Sequence, residues 1–137
     1  MSSARKSRLR AFSGCYRVWT DLGRACAYCG VAAETYDHVP NLAMLHALGI
    51  EHYQRRKIQL WKVPACRECN VLLSDCAATS IPDRRAQIKA KLKARYAKLL
   101  AMPSWTDREI ADLGIGLQDV IEDANAVRSW IKRRLEW

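Results

Sequence analysis

The 137-residue chain sets 23 Lys and Arg against 14 Asp and Glu, a formal charge of +9, and half of its residues are apolar. This excludes a disordered tail and bounds the protein to one domain, or a small domain with an extension, near the size where a single core becomes self-sufficient. So unbalanced a charge points to a polyanionic partner, nucleic acid first, with a merely soluble basic surface as the alternative.

Met1 to Phe12 is basic and polar with no apolar centre, and no later run approaches the ~20 apolar residues of a membrane span. A cytoplasmic protein with no membrane partner is expected. In a reducing compartment, paired cysteines bind metal more readily than they form disulfides.

Residues 1–14, with Arg5, Lys6, Arg8 and Arg10, lack apolar periodicity and read as a basic arm or an ordinary frayed terminus. The stretch from Phe12 to Leu22 brings Tyr16, Val18 and Trp19, a short helix or strand between which the sequence does not choose. Residues 15–80 form the predicted core. Cys26-Ala-Tyr-Cys29 and Cys66-Arg-Glu-Cys69 are two Cys-x-x-Cys turns, each able to present two thiolates to one ion. Together they complete the tetrahedral shell of structural zinc. Gly30 suits the tight turn after the first pair. Two disulfides or four buried thiols are the alternative. Cys15 and Cys76 are left over as small apolar residues, Cys76 near enough to the second pair to be a spare ligand.

Glu34 to Asp37 reads as a short strand delivering His38 and stopped by Pro40. Leu42, Leu45 and Leu48 mark a small helix closed by Gly49. His46 and His52, in this insertion, lack ligand spacing and read as surface or packing residues. Residues 51–62 place Arg55, Arg56, Lys57 and Lys62 around Tyr53 and Trp61, a run suited to phosphates or to a solvated loop with two packed rings. Ile58 to Val63 alternates and reads as the second strand. Arg67 joins the candidate phosphate contacts. Asn70 falls in the first turn of a helix running through Leu72 and Leu73.

Four cysteines close the zinc shell, so the Asp37-His38 pair needs another role. Phosphodiester hydrolysis requires a divalent cation and a base for the attacking water. Asp37 offers a hard oxygen ligand, Asn70 a neutral one, and His38 the base, with Asp37 and His38 on opposite sides of an extended chain.

In residues 81–137 a helical extension is expected. Pro82 suits a helix start, and Ile81, Ile88, Leu92, Tyr96 and Leu99 mark one apolar face. The other face carries Arg84, Arg85, Lys89, Lys91, Lys93, Arg95 and Lys98 against Asp83, a DNA-contact or solvated surface. Met102-Pro103 ends that helix, Ser104 or Thr106 caps a short one through Leu113, and Gly114 and Gly116 break it. Leu117, Val120, Ile121, Ala124, Val127, Ile131 and Leu135 mark a last amphipathic helix, packed on the helix at 82–101 or forming a homodimer. The fold class is α+β: a small zinc-braced ββα-metal core with a helical C-terminal extension.

The order Cys-x-x-Cys, Asp-His followed closely by Pro, then Cys-x-x-Cys-Asn resembles that of HNH endonucleases with a ββα-metal site, over roughly residues 24–76. The resemblance implies a nuclease acting on DNA, with Asp37 and Asn70 as ligands of a catalytic magnesium or manganese ion, His38 as general base, and Cys26, Cys29, Cys66 and Cys69 holding structural zinc. The sequence departs at Trp61, where families with a central Asn carry that residue. The phage endonucleases that resolve branched DNA also lack it and share the Cys-x-x-Cys-Asn-x-x-Leu ending of Cys66 to Leu73. By resemblance alone, small free-standing proteins of this kind are often phage-encoded, and some serve with packaging machinery. The alternative is a non-catalytic zinc-ribbon protein that binds nucleic acid or regulates, in which Asp-His is a turn and Asn70 a helix cap.

Overall fold

The computed structural model describes residues 14–20 and 23–137, so the expected basic arm lies almost wholly outside the described residues. A three-stranded sheet, ordered β1-β3-β2, carries the architecture. Strand β1 is Arg17–Val18, β2 is Thr35–Val39 and β3 is Trp61–Ala65. β2 pairs antiparallel with β3 from Thr35 opposite Ala65 to Val39 opposite Trp61, and β1 adds in parallel beside Trp61 and Lys62. Pro64 is tolerated in this central strand because β1 reaches only to Lys62, so β3 is locally an edge where the proline lacks its N–H. The second strand starts three residues later than Ile58. Ile58 and Leu60 instead pack in a satellite cluster with Tyr16, Leu45 and Tyr53.

Between β2 and β3 lie α1 (Leu42–Leu48) and α2 (Ile50–Arg55). Asn41 caps α1, its side chain accepting from the Met44 amide, and Gly49 at φ +80° both ends α1 and starts α2. The helix α2 replaces part of the expected loop and buries Tyr53. After β3, α3 (Arg67–Leu72) begins on Cys66.

The extension follows as α4 (Ile81–Arg95), α5 (Ala97–Leu100), α6 (Asp107–Ala111) and α7 (Ile115–Glu136). Ser80 caps α4, and Thr106 with Glu109 closes a capping box on α6. The short helix stops before Gly114, as expected, whereas Gly116 breaks nothing. Gly114 is the N-cap of α7, and Gly116 lies in its first turn. α7 packs on α4 and α5. Its apolar stripe is only partly covered: Ile121 and Ile131 are buried, whereas Leu117, Val120 and Val127 stay exposed.

The main core runs from Cys26–Cys29 through Val39, Val63, Ala65, Leu73 and Cys76 to Ile88 and Leu92 of α4, with Leu135 of α7 packed against it. Core and extension thus share one hydrophobic cluster. Among the described residues no helix is long and apolar enough to cross a membrane.

Candidate metal centre and adjoining cleft

Both Cys-x-x-Cys turns are held by main-chain hydrogen bonds before any side chain is considered. Cys26 N–H donates to Val31 C=O and Gly30 N–H to Cys26 C=O, which the left-handed Gly30 (φ +78°) permits. Cys66 is the N-cap of α3 and accepts the Cys69 amide on its sulfur at 3.4 Å. The Ala27 amide donates to Pro64 C=O, tying the first turn to β3 beside the second.

The four sulfurs come together in the core. Cys26, Cys29, Cys66 and Cys69 are all buried, and their Sγ atoms lie within 4.8 Å of one another. Zinc–sulfur bonds of about 2.3 Å in a tetrahedron set sulfurs roughly 3.8 Å apart. Cys29 and Cys66 stand 3.7 Å apart, far beyond a disulfide bond, and all four cysteines are free. Packed this closely in the core, the four thiols oppose one another's ionisation, since burial and a neighbouring thiolate both disfavour a further negative charge. A soft divalent ion resolves that conflict, so the cluster is a possible zinc site. Cys76 is not part of it. Its thiol donates to Gln87 Oε1 at 3.0 Å, and Cys15 is exposed.

Beside the cluster, a cleft of about 410 Å³ is lined by residues of β2, the loop to α1, and α3, including Asp37, His38 and Asn70. The three candidate catalytic residues are therefore neighbours, but their side chains have different surroundings. His38 is half-buried, edge-on to the Tyr16 ring at 4.9 Å and directly opposite Lys62 on β3. Burial, then Lys62, pushes the imidazole down to about 4, so it is neutral at neutral pH. Asn70 spends its amide nitrogen on β2, donating to Thr35 Oγ1 at 3.0 Å and Tyr36 C=O at 3.4 Å, which leaves Oδ1 for a ligand.

Asp37 faces the side of β2 opposite His38, as alternation requires; this is the face on which Asn70 meets Thr35, and there Asp37 is buried. Arg84 of α4 grips it bidentately, Nε to Oδ2 and Nη2 to Oδ1, both at 2.8 Å, and the Tyr28 hydroxyl donates to Oδ2 at 2.6 Å. Burial pushes the carboxyl up, while Arg84 and Tyr28 hold its charge. The paired fork geometry is that of an ion pair. Arg84 completes its donors on the carbonyls of Cys76, Ala78 and Leu73.

Arg84 is thus a core residue, not part of the basic helix face to which its type assigned it. Arg85 likewise turns inward, Nε and Nη2 both donating to Ala27 C=O, and Lys91 donates to Leu72 C=O. The signal for Arg84 was its position four residues before Ile88 on the stripe that Leu92 continues.

Among the candidate phosphate contacts, Arg55 pairs with Glu51, Arg67 with Glu34 and Arg95 with Glu68. Arg56 bonds His52, Lys57 and Lys93 are exposed, and Lys62 and Lys89 are half-buried. A second depression, about 570 Å³ between α6 and α7, presents Asp107 and Glu122 and no basic side chain, the wrong lining for a polyanion.

No protein-family model matches the chain, and neither the curated proteins nor the solved structures contain a match.

Proposed function

We propose that the chain is a metal-dependent endonuclease of the HNH type that hydrolyses DNA phosphodiesters. His38 is the general base, a magnesium or manganese ion is the catalytic cation at Asn70 and Asp37, and zinc in the four-cysteine cluster braces the site. The observation that carries the reading is a convergence. The antiparallel β2–β3 hairpin runs into α3, with His38 on the first strand and Asn70 on the helix lining the same cleft. A neutral imidazole is in the state required to take a proton from an attacking water. A phosphate in the cleft would add negative charge and raise its basicity toward the working range.

The donor set fits a hard cation in part. Asn70 Oδ1 is available, and Asp37 Oδ1 accepts from Arg84 alone and keeps a lone pair, but a cation there would share the carboxylate with the buried guanidinium. Magnesium tolerates few protein ligands because water and phosphate oxygens fill its shell. The grip of Arg84 also favours a second reading, a zinc-ribbon protein that binds nucleic acid or regulates without cutting it, in which Asp37 is structural. Incubating the zinc-loaded chain with supercoiled, linear and four-way-junction DNA, with and without magnesium or manganese, separates the two. The endonuclease cuts at least one form only with added cation; the ribbon cuts none.

A further inference from the structure

The last turns of α7 reach the four-cysteine cluster, far along the chain from either Cys-x-x-Cys turn. Arg134 is buried, and its Nη2 lies 3.8 Å from Cys66 Sγ and 3.9 Å from Cys69 Sγ. Nη1 meets Glu68 Oε1, from between those two cysteines, at 2.5 Å. The guanidinium carbon sits 4.5 Å from the Trp130 ring centre. One turn on, Trp137 lies against the other cysteine pair. A Cβ on Gly30 would come within 2.5 Å of its Cε3 atom. Gly30 therefore has two duties, the left-handed turn and bare backbone under the indole.

We propose that Arg134 is the outer cation of the metal centre, and that the turn from Trp130 to Trp137 is a clamp whose docking and metal retention depend on each other. Four thiolates on one zinc ion carry a formal charge of two minus, buried where water cannot screen it. Arg134 supplies one compensating positive charge and hydrogen bonds to two of the sulfurs, the kind of partner that orients ligands and sets their basicity. Without the metal and its thiolates, Glu68 is the one anion among the described residues left to answer the buried guanidinium. Whatever docking adds to zinc affinity, zinc must return to docking. The proposal rests on the four-cysteine site and not on nuclease chemistry.

The test is the rate of zinc transfer from the full chain to a colorimetric chelator, for the parent, Arg134→Gln, Arg134→Lys and the exposed control Lys132→Gln. Arg134→Gln should release zinc about tenfold faster or more, as loss of an outer-shell partner does. Arg134→Lys should recover part of the difference, and Lys132→Gln should match the parent. Hydrogen exchange on the zinc-loaded chain then asks the reverse question: Arg134→Gln should speed exchange over 130–137 and over the turn at 66–69 together, and Lys132→Gln should speed neither. Equal release rates for Arg134→Gln and parent, or faster exchange in Arg134→Gln that is confined to 130–137 and leaves the turn at 66–69 as protected as in the parent, would overturn the proposal. Should Arg134→Gln fail to fold, Arg134→Lys against Lys132→Gln decides by the same rates. A folded, reduced parent that holds no zinc overturns it too.

Discussion

Set between Tyr16 and Lys62, His38 gains a proton only near pH 4, well below its usual range. Two consequences follow with opposite readouts. For catalysis, the free-enzyme acid limb of DNA cleavage should fall near pH 4 to 5 and not near 6, because the base remains unprotonated until then. For stability, the unfolded chain takes the proton from about pH 6.5 downward and the native chain does not. Stability therefore falls as pH drops from roughly 6.5 to 4, and His38→Phe should remove that slope from urea-unfolding midpoints. An unchanged slope in His38→Phe would locate the titration elsewhere.

The Asp37–Arg84 pair makes a separate prediction at the same scale. Removing one partner of a buried pair strands the other's charge, at a cost of about 3–5 kcal/mol. Arg84→Met should lose that much on unfolding, and Arg84→Met with Asp37→Leu should recover most of it. If the double variant is no more stable than the single one, the fork is not what holds α4 to β2.

Among the elements, those with a local signal were legible. The helix Leu42–Leu48 had its leucine spacing, an Asn cap and a closing Gly, and the four cysteines had their spacing. Elements decided by remote contacts were not. β1 exists because Arg17 and Val18 find the free edge of β3, from a sequence distance no local pattern spans. α2 was hidden because its basic residues read as loop, whereas buried Tyr53 shows that it has a core side. Arg84 and Arg134 were missed because residue type was given precedence over position on an otherwise apolar stripe. Each is buried only because an acidic partner waits for it, Asp37 and Glu68 respectively. Within the site, sequence placed Asp37, His38 and Asn70 together but could not show which face of β2 was core.

The corrected basic face sharpens the DNA prediction for α4. Arg84, Arg85 and Lys91 are committed to the protein, and Arg95 shares Glu68, which leaves Lys89 and Lys93 as the candidate phosphate contacts on this helix. Changing both to Gln should weaken DNA binding and flatten its logarithmic salt dependence by about one to two. An unaltered slope would mean that this face is only solvated and that DNA lies elsewhere.

At the scale of the whole molecule, the cysteine cluster sits inside the main hydrophobic core, not at its margin. Metal loss should therefore unfold the core and not merely loosen a turn. The purified chain should carry one zinc by metal analysis. Cys69→Ser should lose both the zinc and the cooperative melt, while Cys15→Ser, at an exposed position, keeps both. A folded Cys69→Ser protein with parental melting behaviour would show that the core stands without its metal.

The cleft is positioned by the same part of the fold, since Asn70's bonds to Thr35 and Tyr36 fix α3 to β2. The most direct measurement of the proposed activity is nicking of supercoiled DNA by zinc-loaded parent and His38→Ala proteins, side by side, in magnesium or manganese. The parent should cut only with the added cation. His38→Ala should bind the DNA as tightly, retain its zinc, and cut on the order of a hundredfold more slowly, as general-base loss implies. Equal cutting by the two proteins, or a parent inert with either cation, would contradict the endonuclease reading.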